Sequence, residues 1–234
     1  MGDNYARASE LLTDVISAGT DDAGLYYTLA VSLIKQGKQE PADRVIRQMV
    51  AMSGSSPQFH ILLGRAYYEQ GDTVNSLQEL KAALALDDKT RMAHHYSGLI
   101  NLKLGKLDEA IEEFERELVL NPNDVETKFH LGFVCLASQK SERGVKLMRE
   151  VIKLKPDYGE AHYELGKALL QQGDIKGAVA SLEAAAKLKP DEAYVHYQLG
   201  RAYLQAGRKT EGESHIEISK QLKEKARSQT NQQR

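Results

Sequence analysis

The chain has 234 residues, 41% apolar and 27% charged, with a formal net charge of −2. Those proportions belong to a globular chain and exclude disordered and collagen-like classes. The near-neutral balance offers no whole-molecule argument for nucleic acid. No apolar run approaches the length, about 18 residues, that spans a bilayer, which argues against membrane insertion.

Residues 3–18 place Ala8, Leu12 and Val15 on one helical face, 34 residues ahead of Ala42, Ile46 and Met49. Residues 1–20 therefore read as a capping helix or as the second helix of a truncated repeat. An array over 21–226 follows, with units near 23–56, 57–90, 91–124, 125–158, 159–192 and 193–226. Each unit opens with apolar residues at helical spacing, as in Tyr163, Leu165, Ala168, Leu169 and Leu170. A turn comes next, carrying Gly37, Gly71, Gly105, Gly173 or Gly207 as a helix C-terminal glycine. Asp72, Asp108 and Asp174 stand ready to cap the second helix. Pro122, Pro156 and Pro190 close three of the units. Ala30, Gly64, Gly98, Gly132, Gly166 and Gly200 recur every 34 residues and face small residues on the paired helix, such as Ala178 and Gly212. A glycine inside a helix costs about 1 kcal/mol against alanine, so its retention implies close helix approach. Residues 227–234 read as a disordered polar tail.

This pattern resembles the tetratricopeptide repeat (TPR) family, a helix-turn-helix unit of 34 residues, over nearly the whole chain. The resemblance implies an all-α fold: a right-handed superhelix, an α-solenoid whose first helices line a concave groove. It also implies a non-catalytic scaffold for protein–protein interaction. The family's early Trp is replaced by Tyr26, His60, His94, His162 and His196, and by Lys128. Gln139 stands where the turn glycine is usual. Glu117 occupies a place held elsewhere by Ala or Val, and a Glu117–Lys128 pair is expected because a lone buried charge is costly.

By the family's geometry the groove is lined by Tyr27, Ile61, His95, Phe129, Tyr163 and Tyr197 and by Arg65, Leu99, Leu102, Phe133, Lys167 and Arg201. Its middle reads as apolar, with Phe129 and Phe133 as anchors and Arg65, Lys167 and Arg201 engaging acidic groups. An acidic, amphipathic peptide or partner helix fits such a trough. The family's carboxylate clamp needs Lys and Asn early in successive units; Tyr27, Ile61, Tyr96 and Glu126 stand there instead. Two rival roles remain at this level: a docking or regulatory part of a larger enzyme or envelope-assembly machine, and homo-oligomerisation through the repeat ends.

Nothing in the sequence argues for an enzyme, a cofactor or a metal. There is no GxxxxGK[ST] loop, GxSxG elbow, HExxH or CxxC. The periodic histidines read as packing residues, since equivalent helices lie about 8–10 Å apart and zinc needs ligand nitrogens at about 2.1 Å. Asp21–Asp22 and Asp87–Asp88 read as helix starts. The lone Cys135 mildly favours a reducing, cytoplasmic setting, and the start MGDNYARASE has no leader pattern. A periplasmic or secreted chain stripped of its signal would look the same.

Overall fold

A computed structural model describes residues 2–52 and 56–232. The end of the expected 23–56 unit and the last two residues of the expected tail lie outside them. The described residues form helices and no strands, an all-α helical-repeat solenoid. The chain divides into two compact units, Met1–Pro122 and Asn123–Arg234.

The first unit contains α1 (Gly2–Ser17), α2 (Ala23–Lys35), α3 (Gln39–Ala51), α4 (Pro57–Gln70), α5 (Thr73–Leu86), α6 (Ala93–Lys103) and α7 (Leu107–Leu120). The second contains α8 (Val125–Ala137), α9 (Ser141–Leu154), α10 (Gly159–Gln172), α11 (Ile175–Leu188), α12 (Ala193–Gln205) and α13 (Lys209–Gln232). In each unit the even-numbered helices form one layer, every one packing on the odd-numbered helix that follows it. Helix α13 runs through residue 227, where the sequence reading began its tail, and on to Gln232.

The chain's own turn chemistry sets the helix ends. Asp22, Ser56, Asp72, Asp124 and Asp174 cap α2, α4, α5, α8 and α11 through their side chains. Asp108 does not cap α7. That helix starts at Leu107, which leaves Asp108 in the first turn, where a carboxylate complements the helix dipole. Asp87 is also no helix start; it ends α5 and accepts the Lys89 N–H within the turn. Gly37, Gly71, Gly105, Gly173 and Gly207 all have φ between 73° and 91°, and Gln139 takes the same left-handed turn at 61°. An L side chain there costs about 1–2 kcal/mol relative to the right-handed region.

Helix pairs meet through the small residues. A Cβ built on Gly166 would lie 2.6 Å from Leu182 Cγ and 3.2 Å from the Ala178 carbonyl. One built on Gly98 would lie 2.6 Å from the Phe114 ring. Between these contacts Leu80, Ile100 and Phe114 in the first unit and Met148, Val151 and Leu182 in the second are fully buried. Helix α1 packs on α2, sets Leu12 and Ile16 against the first unit's core, and leaves Val15 48% exposed although its counterpart Met49 is buried.

Glu117 is the exception inside this core. It is wholly buried on α7, and its carboxylate accepts the Met92 N–H at 2.9 and 3.0 Å and the His95 N–H at 3.3 Å. Met92 has left-handed φ (72°) and caps α6 with no side-chain bond of its own. A glutamate reaching over from α7 therefore satisfies amide donors that a helix start leaves unpaired. The expected pairing with Lys128 gives way to a different arrangement: Lys128 bonds Glu150 at 2.8 Å.

Candidate functional site

The expected groove residues fall on the even-numbered helices of both units. In the first unit Ile61 and His95 are buried, 8% and 4% exposed. Ile61 packs with Leu80, Ala83 and Ile100, and His95 meets the Phe114 ring at 5.9 Å. Tyr27, Arg65, Leu99 and Leu102 are half-buried. The Arg65 guanidinium lies between two rings, 4.6 Å from the Tyr27 centroid and 5.2 Å from that of Tyr96. Burial pushes both phenols up, which keeps them neutral and suited to a neighbouring cation. Arg65 is thus held by this chain's own aromatics. Tyr68 meets Tyr96 at 5.6 Å, and Lys35 joins Glu69 at 2.6 Å across α2 and α4.

In the second unit Phe129 and Phe133 on α8 are half-buried and pack on the unit's core. Phe129 lies 5.0 Å from Tyr158, whose hydroxyl donates to Glu126 at 2.6 Å; burial and that carboxylate push the phenol well up. Tyr163 on α10 meets Tyr194 edge-on at 4.8 Å. Lys167 stands 5.4 Å above the Tyr163 ring and pairs with Glu164 at 2.6 Å. On α12, Tyr197 is 43% exposed and Arg201 is exposed, its guanidinium 3.4 Å from the Gln198 amide oxygen. A cleft of about 210 Å³ opens between α8 and α10, lined by Phe133, Leu136, Ala168, Glu164 and Lys167 among others. It joins an apolar wall to an ammonium group on one face.

Sequence reasoning missed Tyr96, Tyr158, Tyr194 and Glu164, each of which positions an expected site residue. The signal for the three tyrosines is an aromatic near the start of the next first helix, and Glu164 carries none. The periodic histidines are hydrogen-bonded within the chain. His60 and His94 each place Nδ1 at 2.7 Å from a glutamate 19 residues on, and His196 meets His215 at 2.9 Å. His162 and His196 also bond the Pro156 and Pro190 carbonyls. Among the described residues no group of three or more His, Cys, Asp or Glu side chains is disposed to hold a metal ion. No described helix is long and apolar enough to cross a membrane.

Stacked helix pairs with an aromatic and cationic first-helix face define a helical-repeat protein-interaction scaffold. Family models described as "Tetratricopeptide repeat" match residues 27–89 and 61–125, and one described as "TPR repeat" matches 166–207. The chain belongs to the tetratricopeptide repeat family. Among solved structures it is similar to MamA from Desulfovibrio magneticus RS-1, at 19% identity and TM-score 0.68, over 74% of this chain and 97% of that one. It is similar to a MamA structure from AMB-1 at 26% identity and TM-score 0.62, over 72% and 92%. It is also similar to YrrB, described as a TPR protein with an unusual peptide-binding site, at 16% identity and TM-score 0.64, over 76% and 91%. No curated protein sequence matches it.

Proposed function

We propose that the chain is a non-catalytic scaffold that binds an acidic, amphipathic peptide or partner helix on the first-helix face of its second unit. An apolar partner side chain sits against Phe133, Leu136 and Ala168, and partner carboxylates meet Lys167 and Arg201. The carrying observation is the cleft beside Phe133, where apolar walls and the Lys167 ammonium share about 210 Å³. Charge supports the acidic partner: the second unit holds 19 Lys and Arg against 15 Asp and Glu, a net +4, while the first holds 12 against 18, a net −6. Lys167 already pairs with Glu164, so Arg201, exposed and bonded only weakly to Gln198, is the freer cation. The peptide-binding description of YrrB supports a peptide as the ligand class.

A peptide-display selection on the purified chain supplies the ligand, and its affinity is then measured with variants. Phe129→Ala/Phe133→Ala is expected to weaken it about thirtyfold, as an anchor worth about 2 kcal/mol does. Phe129 also packs on Tyr158, so the exposed Arg201→Glu is the second variant, with helicity checked in both. Enrichment of basic peptides, or an affinity untouched in both variants, refutes the reading.

A further inference from the structure

The second unit repeats an aromatic plug at each junction between first helices. Phe129 on α8 is covered by Tyr158 just ahead of α10, and Tyr163 on α10 is covered by Tyr194 at the start of α12. At the matching junction of the first unit, Ile61 on α4 replaces the ring, and Thr90, Arg91 and Met92 stand at the entry to α6. The ring pair of this junction, Tyr68 with Tyr96 at 5.6 Å, sits two turns farther along α4, and among the described residues no aromatic side chain lines the space over Ile61. A cleft of about 460 Å³ remains, floored by Ile61 and Leu62 and rimmed by Lys89 and Arg91. That volume falls within the range of about 300–1,000 Å³ usual for ligand pockets.

The lip of the cleft is fixed. The Lys89 N–H donates to Asp87 Oδ1 at 3.0 Å, and Thr90 Oγ1 donates to the Asp87 carbonyl at 2.7 Å. Glu117 then pins the Met92 N–H, and Met92's left-handed φ of 72° delays the start of α6 to Ala93. A cavity held open in this way costs little further ordering when a ligand enters. Lys89 and Arg91 are exposed, and neither forms an ion pair among the described residues. The Asp87 carboxylate at the same rim is engaged in its own turn.

We infer that this cleft is a docking pocket for an aromatic side chain of an extended peptide whose flanking residues are acidic. The partner supplies in trans the ring that Tyr158 and Tyr194 supply in cis, and its carboxylates meet Lys89 and Arg91. The pocket lies in the first unit, and the Phe133 face belongs to the second.

The test uses the full chain and a short, fluorescein-labelled, glutamate-rich peptide with one central tryptophan, beside the same peptide with alanine there. Anisotropy at near-physiological salt is expected to show the tryptophan peptide binding at least about tenfold more tightly, the step that 1.4 kcal/mol of aromatic burial provides. Arg91→Glu should weaken it about fivefold or more. Ile61→Tyr, which restores the missing ring, should abolish it, with circular dichroism confirming the fold. Lys81→Glu, an exposed charge reversal on α5 outside the cleft lining, should leave it unchanged, which separates the cleft's own cations from the overall charge of the chain. Equal binding of the two peptides, no binding at millimolar peptide, persistence in both Arg91→Glu and Ile61→Tyr, or loss in Lys81→Glu each overturns the inference.

Discussion

Replacing Glu117 by alanine tests the cross-helix cap directly. The carboxylate is fully buried and accepts the Met92 N–H at 2.9 and 3.0 Å and the His95 N–H at 3.3 Å. Removing it strands two donors at the start of α6. A buried donor left unpaired costs about 1–3 kcal/mol, so the short Met92 bond counts fully and the longer His95 bond less. With the side-chain volume also lost, the sum is about 3–5 kcal/mol, a large share of the roughly 5–15 kcal/mol that holds a domain together. For a chain of this size that lowers the melting temperature by roughly 6–20 °C. Glu117→Gln keeps one acceptor oxygen but turns an amide NH₂ toward the same donors, and should lose about half as much. Glu117→Val copies the apolar residue at the matching place in α9 and fills the volume without serving the donors, so it separates cavity from hydrogen bond. Thermal melts give the magnitude, and hydrogen exchange at the Met92 amide gives the location. A Glu117→Ala variant melting within about 2 °C of the parent, with Met92 protection unchanged, would refute the cap.

Three further substitutions probe the packing and the turns. Gly166→Leu places its first side-chain carbon 2.6 Å from Leu182 Cγ, and overpacking of that kind should cost about 1–3 kcal/mol; an unchanged melting temperature counts against the close approach. Gln139→Gly relieves the left-handed turn at φ 61° and, after the extra chain entropy of glycine, should stabilise by about 0.5–1 kcal/mol in urea unfolding. The third concerns His215, whose pKa is lowered by burial and then by His196 at 2.9 Å, with Glu183 opposing. A lowered folded-state value favours the neutral ring, so its contribution is full above the unfolded pKa, about 6.5, and fades as the pH falls below it. Unfolding of the α12–α13 pair should therefore ease on acidification past that point, and His215→Gln should flatten the trend. A pH-independent parent would contradict the shared-proton contact.

The repeat was legible because one packing problem recurs. Each helix pair needs the same small residue at its crossing and the same left-handed turn, so the sequence writes them at a fixed interval. First helices begin at Ala23, Pro57, Val125, Gly159 and Ala193, where the interval puts them. The site was less legible, and particular residues show why. Ile61 shares a register position with Tyr27 and Tyr163, but its side chain ends below the surface that a tyrosine ring reaches through, and it is absorbed into the core. Arg65 reads as a free cation until Tyr27 and Tyr96, far apart in sequence, close on it from two other helices. Glu117 is visible as an odd letter, yet its partners are backbone amides, which the sequence does not spell. The histidine–glutamate contacts do have a written form, a spacing of 19 residues at 60/79 and 94/113, but it emerges only once the paired helix is known to lie there.

A repeat array also serves as its own control. On α7 the exposed positions Glu109 and Glu112 are acidic; 34 residues on, on α9, the matching Arg143 and Lys146 are basic. The same helix pairing forms with either sign, so the charge on these faces is not required by the fold. The junction at Ile61 follows the same logic: a ring covers Phe129 and Tyr163, none among the described residues lines the space over Ile61, and the helices around it still pack. Features that vary while the packing stays constant are those available for recognition. The specificity of this scaffold is therefore expected at its departures from the repeat, where Ile61→Tyr is more informative than any substitution at a position the units share.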